Sequence, residues 1–197
     1  MRLVVGLGNP GSTYTGTRHN VGFALLDVFA KKHTLEFREK SKYKGLLAKG
    51  EIQEMAVWML KPTTFMNLSG ESVAAVVHDL KIAPSQVLVI VDDVDLLFGE
   101  IRIKPEGGPG THNGLRSIEE CLQTNQYARL RIGIGGQRID DLAEFVLDRF
   151  SSDETKVLSE TFKKAVQAIE IWLDQGITRA MDFANRKNPL NPSNGEP

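Results

Sequence analysis

Runs of consecutive apolar residues recur along the chain and predict the strands of a buried sheet. The runs lie at Leu3–Leu7, Leu46–Lys49, Ala56–Leu60, Val87–Val91 and Leu130–Ile134. Because they are nearly continuous in Val, Ile and Leu, they suit a sheet that is covered on both faces. A further segment, Ile101–Lys104, alternates apolar and basic residues and predicts an edge or half-exposed strand.

Between these runs, apolar residues recur at helical spacing. Shorter helices are predicted at Val21–Ala30, Glu71–Leu80 and Leu115–Leu122. The longest helix is predicted to follow the stretch "SSDE", a capping box in which Ser151 caps the helix and Glu154 reaches back. Apolar residues then repeat as far as Leu173, and Met181 and Phe183 predict an additional last turn.

The alternation of strands and helices predicts an α/β fold. We expect a three-layer α/β/α sandwich around a twisted, mostly parallel (mixed) sheet. With 197 residues the chain is most simply one domain, which we place at residues 1–185. The closing stretch "KNPLNPSNGEP" is rich in Pro and Asn, so residues 186–197 are predicted to form a flexible C-terminal tail.

Composition argues against several classes of function. The chain has 24 Lys and Arg against 25 Asp and Glu, a balance that does not favour general duplex binding but leaves room for a local basic patch. The single cysteine, Cys121, excludes an internal disulfide and a cysteine-based zinc site. We find no signal peptide and no apolar stretch of membrane-spanning length, so we expect a cytoplasmic protein without a membrane partner.

The opening stretch "VVGLGNPG" has the Gly-x-Gly-x-x-Gly spacing of dinucleotide-binding proteins, at Gly6, Gly8 and Gly11. In those proteins a helix begins at the third glycine and holds the pyrophosphate at its N-terminus. Here "STYTGTRHN" intervenes and moves the predicted helix start to about Asn20, while no acidic residue ends a second strand at the expected distance. NAD binding is therefore the alternative interpretation. An Asn-Pro-Gly turn at the carboxyl end of a central strand still marks a ligand-binding edge.

Four polar segments fall at predicted strand ends or helix starts. They contain Asn9, Tyr14 and His19; Phe65, Met66 and Asn67; Asp92, Asp93 and Asp95; and His112 and Asn113. A histidine and a strand-end aspartate suffice for general-base activation of water, because the carboxylate orients the imidazole and stabilises its charged form. Asparagine amides suit a carbonyl or a developing oxyanion. Each of these residues also has another interpretation when it is taken singly. The histidine and asparagines are alternatively helix caps, and the aspartates are alternatively solvated or hold Mg²⁺.

Other hydrolytic machinery is missing from the sequence. There is no Gly-x-Ser-x-Gly nucleophile elbow and no H-E-x-x-H zinc pair. Cys121 lies in a predicted helix whose apolar residues recur at helical spacing, so we expect it to be packed and not nucleophilic. Attack by water with a histidine base is therefore the interpretation that the residues favour.

The ordered motifs "GLGNPG..Y..TRHNVGF", "KPTTFMNLSG", "DDVDL..G.IRIK", "THNGLRSI" and "RLRIGIG" resemble those of bacterial peptidyl-tRNA hydrolases, over nearly the whole chain. The resemblance implies hydrolysis of the ester between a peptide, or an N-blocked amino acid, and the 3′ ribose of tRNA. It implies that His19 activates water, that Asp92 stabilises the protonated imidazole, and that Asn9 separates N-blocked from free aminoacyl-tRNA. The glycines of the opening stretch would then form the floor of the cleft.

The resemblance also implies a set of substrate contacts. Residues expected to contact the tRNA end or the peptide are Tyr14, Phe65, Met66, Asn67 and Asn113. Lys104, Arg129 and Arg131 lie near the Gly-rich loop and are predicted to clamp a phosphate. No metal, cofactor or obligate protein partner is implied, and such enzymes usually act as monomers.

Two departures from the family pattern concern loops. The Gly-rich loop reads "GGPGTHNG" where the family often has "GG-x-GGHNG", so Pro109 and Thr111 are expected to stiffen it. After Gly135 the chain continues with Gly136 and Gln137 instead of a His-Pro or Arg-Pro pair. An RNA-binding relative without hydrolytic activity is the remaining alternative, although retention of the proposed catalytic residues argues against it.

Overall fold

The structure, a computed structural model, describes residues 1–135 and 140–186. Its strands are β1 (Arg2–Gly6), β2 (Arg38–Lys40), β3 (Gly45–Ile52), β4 (Met55–Pro62), β5 (Val87–Leu97), β6 (Ile101–Lys104) and β7 (Ala128–Gly135). They form one sheet in the order β2-β3-β4-β1-β5-β7-β6. The four central strands, β4, β1, β5 and β7, are parallel, whereas β2, β3 and β6 add antiparallel edges.

Helices cover both faces of this sheet. They are α1 (Val21–Lys32), α2 (Ser69–Asp79), α3 (Asn113–Leu122), α4 (Leu142–Leu147), α5 (Ser152–Gln175) and α6 (Ile177–Ala184). One core cluster packs α1, α5 and α6 against the sheet, and a second packs α2 and α3 against the opposite face. The predicted three-layer α/β/α sandwich with a mixed, mostly parallel sheet is confirmed.

Strand β1 shows why the apolar runs are continuous. Leu3 and Val5 belong to the core under α2 and α3, whereas Val4 belongs to the core under α1 and α5. Alternate side chains of a strand point to opposite faces, so a strand covered on both sides needs apolar residues at every position. The central place of β1 in the sheet follows from this pattern.

The observed elements differ from the predicted ones in several places. Strand β5 continues to Leu97 with an irregular register, because Gly133 and Gly135 of β7 leave room for its backbone. A Cβ on Gly133 would lie 2.0 Å from the Leu97 carbonyl oxygen. The predicted last turn around Met181 is instead a separate helix, α6, since the chain breaks at Gly176 with a positive φ of 86°.

The shortest strand and the shortest α-helix were not predicted from the sequence. Strand β2 is fully exposed, and α4 buries none of its residues completely, so neither carries an apolar signal. Of the predicted C-terminal tail, residues 187–197 lie outside the described residues, as do Gly136 and Gln137; the domain boundary at 185 stays a prediction. Within residues 1–135 and 140–186, every helix is too short or too polar to cross a lipid bilayer.

Candidate active site

Asp92 of β5 lies between two histidines. His19 Nδ1 is 2.9 Å from Asp92 Oδ1, and His112 Nε2 is 3.1 Å from the same oxygen. The two imidazole rings are 5.0 Å apart between centroids. The Asp92 side chain is 3% exposed, so one buried carboxylate oxygen accepts two hydrogen bonds.

The protonation of His19 follows from this contact. A carboxylate only accepts hydrogen bonds, so Nδ1 carries the hydrogen and Nε2 keeps its lone pair in the neutral ring. Burial opposes the positive form of His19, but the charge and hydrogen bond of Asp92 outweigh it, and the pKa of His19 is raised above its ordinary value. His19 therefore combines a free basic nitrogen with a carboxylate that stabilises its protonated form.

The two histidines also act on Asp92. Burial by itself would raise the pKa of the Asp92 carboxyl group, yet the potential and hydrogen bonds of His112 and His19 hold this pKa well below its usual range. Asp92 is thus an anion at neutral pH.

Asn9 is held rigidly beside the start of α1. Its backbone N–H donates to Asn20 Oδ1 at 2.8 Å, and Asn20 Nδ2 donates to the Asn9 carbonyl at 2.9 Å. The side-chain oxygen of Asn9 accepts from the backbone N–H of Met66 at 2.8 Å. Because that N–H must face the amide oxygen, the Asn9 NH₂ group is left as the donor available to a ligand.

The opening glycines pack α1 against the sheet. A Cβ on Gly6 would lie 2.4 Å from the Gly22 carbonyl oxygen, and a Cβ on Gly22 would lie 2.6 Å from backbone atoms of Leu7 and Ile90. The prediction that these glycines form a cleft floor is therefore not what the structure shows for Gly6. Gly6 and Gly22 allow β1 and α1 to approach closely, and this contact sets the position of the turn that carries His19.

A cavity of about 340 Å³ opens beside the histidine pair. Six of the predicted site residues line it together with the Gly-rich loop and α4, namely His19, Asp92, Lys104, Asn113, Arg129 and Arg131. Among the described residues, the others lie outside this lining: Asn9, Tyr14, Phe65, Met66 and Asn67.

The predicted substrate contacts differ in exposure. Phe65 is 56% exposed, Asn67 and Asn113 are exposed, and Tyr14 is half-buried. The Met66 side chain is only 5% exposed and belongs to the core under α2, so the prediction that it lines the cleft is corrected. What Met66 offers the site is the backbone N–H that holds Asn9.

Two of the three cations predicted to clamp a phosphate are paired within the protein. The Arg129 guanidinium donates to Gly108 O and pairs with Glu119, and Arg131 pairs with Asp93. Within the part of the chain that the structure describes, Lys104 makes no ion pair, and it is exposed at the end of β6. Lys104 is therefore the cation of this group that remains available to a phosphate.

The alternatives as helix caps are resolved by the structure. The side chain that caps α3 is His112, whose Nδ1 accepts from Gly114 and Leu115 N–H, and not Asn113. Asn67 lies in a 3₁₀ turn ahead of α2, and His19 lies in the turn ahead of α1 without capping either helix.

Two residues of the site escaped the sequence reasoning as functional residues. The sequence predicts only that His112 precedes a helix. A second histidine at a helix start, in a chain with a strand-end aspartate, is nevertheless a signal for a functional residue. Asn20, next to His19, holds the Asn9 backbone, and only the fold brings these two asparagines together.

The same cluster is a geometric candidate for a cation. Single ligand atoms of His19, Asp92 and His112 lie within 4.8 Å of one another. However, both ring nitrogens that face Asp92 are at hydrogen-bond distance from it, and each must carry a hydrogen to donate. A metal ion would have to displace both protons, so the hydrogen-bonded arrangement fits proton transfer better than ligation.

Comparisons with known proteins agree over nearly the whole chain. A sequence model of the peptidyl-tRNA hydrolase family matches residues 3–192. Proteins named peptidyl-tRNA hydrolase from Alkaliphilus oremlandii and Chloroflexus aggregans are 44% and 46% identical to the chain, over 94% and 96% of it and the whole of their own length. The crystal structure of peptidyl-tRNA hydrolase from Acinetobacter baumannii, 37% identical, superposes with a TM-score of 0.90 and covers 96% of each chain. The chain belongs to the peptidyl-tRNA hydrolase family.

Proposed function

We propose that this protein hydrolyses the ester of peptidyl-tRNA with a water molecule activated by His19, without a metal ion. Membership of the family supports the reaction, and the contact between His19 Nδ1 and Asp92 Oδ1 carries the proposal about mechanism. That contact leaves Nε2 as a base beside the cavity.

The proposed reaction balances as a simple hydrolysis. His19 Nε2 takes a proton from water while the water oxygen attacks the ester carbonyl carbon. The imidazolium that forms lies against the Asp92 carboxylate, which stabilises it without taking up the proton. The bond from the carbonyl carbon to the ribose oxygen then breaks, and His19 returns its proton to that oxygen. The products are a peptide acid and a tRNA with a free ribose hydroxyl group.

Asn9 provides a physical basis for selecting N-blocked substrates. Its amide oxygen is occupied by Met66 N–H, so the NH₂ group is the part of this side chain left to donate to a substrate. A peptide or an N-acyl group offers a carbonyl acceptor to these donors, whereas a free α-ammonium group offers only further donors. Free aminoacyl-tRNA is therefore expected to be a poor substrate.

The tRNA end is proposed to follow the exposed residues around the cavity. Phe65 is exposed enough for a terminal base to stack on it, as single-stranded ends commonly do on aromatic rings, and Tyr14 is the second candidate. Asn67 and Asn113 offer amide contacts to the peptide, and Lys104 offers charge to a phosphate.

We also propose that the enzyme acts as a monomer in the cytoplasm. The side chains given roles above all come from one chain, and peptidyl-tRNA arises where translation takes place. Light scattering at the concentrations used for the activity assay tests the first point: an active dimer without active monomer would contradict it.

The decisive experiment is release of N-acetyl-amino acid from N-acetyl-aminoacyl-tRNA in the presence of EDTA, with free aminoacyl-tRNA as the control substrate. We expect the wild type to cleave only the blocked substrate, and His19→Ala to lose about 10²-fold or more of kcat, the range of general-base catalysis. His78→Ala, a change of an exposed histidine on α2, is the matched control and should behave as wild type. Normal turnover by His19→Ala would refute the histidine mechanism, and loss of wild-type activity with EDTA would refute metal independence.

A further inference from the structure

Both ring nitrogens of His112 are held by hydrogen bonds within the protein. Its Nδ1 accepts hydrogen bonds from the backbone N–H groups of Gly114 and Leu115, at 3.2 and 3.4 Å, at the start of α3. A hydrogen on Nδ1 would point at these two donors, so Nδ1 must stay unprotonated. The hydrogen that His112 donates is therefore the one on Nε2.

That hydrogen is directed at Asp92. The Nε2 to Oδ1 distance is 3.1 Å, and the His112 side chain is 10% exposed. The acceptor is the same oxygen that His19 uses at 2.9 Å. Asp92 thus receives one hydrogen bond from the ring that changes charge during the proposed reaction, and one from a second ring whose other nitrogen is engaged by the α3 cap.

We propose that His112 is a positioning residue that holds the Asp92 carboxylate for His19 and limits how strongly that carboxylate can retain the proton of His19. This inference rests on the proposed function of His19 as the base. When His112 also donates to Asp92 Oδ1, this oxygen offers less negative charge to His19. The His19 imidazolium is therefore stabilised less. Without the His112 donor, His19 would hold its proton to a higher pH and be a base in a smaller fraction of molecules at neutral pH.

The α3 cap makes this arrangement stiff and links it to the Gly-rich loop. His112 N–H donates to the Pro109 carbonyl at 3.2 Å, and Arg129 holds the Gly108 carbonyl of the same loop at 2.6 Å. The residue that fixes Asp92 therefore also ends the loop that lines the cavity.

Other charged groups face the trio from the surrounding elements. From β5, β6 and β7 they are Asp93, Asp95, Lys104, Arg129 and Arg131. Two of the cations are neutralised locally, since Arg131 pairs with Asp93 and Arg129 with Glu119. Within residues 1–135 and 140–186, none of these five is hydrogen-bonded to either ring, so the shared Asp92 oxygen is the direct link between the histidines.

Two substitutions at position 112 separate the contact with Asp92 from the helix cap. His112→Asn keeps an oxygen near the place of Nδ1, where Asn caps helices well, but its side chain is too short to donate to Asp92. His112→Gln reaches Asp92 with its NH₂ group and gives up the favourable cap. His78→Asn, on an exposed face of α2, is the matched control.

The readout is the His19 pKa, measured by NMR titration of the imidazole signals of the free protein, which has only four histidines. His19→Ala assigns the signal. We expect His112→Asn to raise the His19 pKa by about one unit, to move the acidic limb of kcat/KM upward equally, and to leave the melting temperature near the wild-type value. His112→Gln should restore the wild-type pKa with a lower melting temperature.

The outcomes distinguish the two proposals. A wild-type His19 pKa in His112→Asn, with His19→Ala inactive, would overturn the role of His112 and leave the proposed function intact. A raised pKa in both variants would show that the cap and not the donor matters, which also overturns it. Activity retained by His19→Ala would instead refute the proposed function.

Discussion

At the scale of single residues, the site depends on which atoms are already occupied. Asp92 Oδ1 takes two imidazole donors, and the Asn9 oxygen takes a backbone N–H. In each case the atom that is left over, His19 Nε2 or Asn9 NH₂, is the one proposed to meet the substrate. Hydrogen bonds within the protein therefore determine which atoms of His19 and Asn9 are available to the substrate.

Lys104 provides a test at this scale. Its ammonium group is exposed and has no ion-pair partner within residues 1–135 and 140–186, whereas Arg129 and Arg131 are paired internally. We expect Lys104→Ala to raise KM more than it lowers kcat, because a phosphate contact far from the scissile bond binds substrate and transition state equally. The rise should shrink with added salt. Lys156→Ala, which changes an exposed lysine on α5, is the control. A fall in kcat at constant KM in Lys104→Ala would instead assign Lys104 to the chemical step.

At the scale of elements, two contacts hold the turn that carries His19. On one side, Gly6 and Gly22 allow α1 to meet β1 at backbone distance. On the other, the backbone N–H of Arg18 donates to the Asp148 carbonyl at 2.9 Å, just after α4. The turn is thus fixed between the central strand and the helix that lines the cavity.

The Arg18 side chain strengthens the second contact. Its guanidinium group donates to Glu154 at 3.0 Å and to the Arg149 carbonyl at 3.3 Å, and it lies 4.5 Å from the Phe145 ring centroid. Because the side chain is only 9% exposed, we expect Arg18→Met to lower the free energy of unfolding by about 2 kcal/mol, the usual scale for hydrogen bonds to charged groups.

Hydrogen–deuterium exchange tests whether Arg18 acts through α4. Amides of Leu142–Leu147 should exchange faster in Arg18→Met, since the variant loses the contact that ties this helix to the rest of the fold. Arg149→Met, which removes a neighbouring but exposed side chain, should leave that exchange unchanged. Uniform loss of protection across all elements would mean that Arg18 supports global stability only.

At the scale of the whole molecule, the ionisation of Asp92 in the site contributes to the stability of the fold in acid. The pKa of Asp92 is lower in the folded chain than its ordinary value, so ionised Asp92 stabilises the fold. This contribution is present above the unfolded pKa of about 3.9 and is lost as the pH falls towards the lower folded value. Acid therefore weakens the protein partly through its active site.

Asp92→Asn should reveal this contribution. The amide oxygen still accepts from both histidines, so we expect the variant to fold, but it does not titrate. Between about pH 5 and pH 3 the unfolding free energy of the wild type should fall more steeply than that of Asp92→Asn, measured by urea denaturation at each pH. Parallel curves for the two proteins would contradict this assignment.

Much of this protein was predictable from the sequence because its signals are local. Strands buried on both faces need continuous apolar runs, the "SSDE" box caps α5 as predicted, and the resemblance of the ordered motifs identified the family that the comparisons confirm. Residue chemistry predicted a histidine with a strand-end aspartate, the family resemblance implied His19 and Asp92, and the structure places these two in contact.

Tertiary structure decided the rest, because it depends on partners distant in the chain. Arg129 and Arg131 look like a clamp in the sequence, but the fold brings Glu119 and Asp93 to them and neutralises their charge. Met66 looks like a cleft residue, but packing buries it. His112 looked like an ordinary residue before a helix until β5 placed Asp92 against its ring. Local pattern determines which elements form, whereas only their packing determines which polar atoms stay free for a substrate.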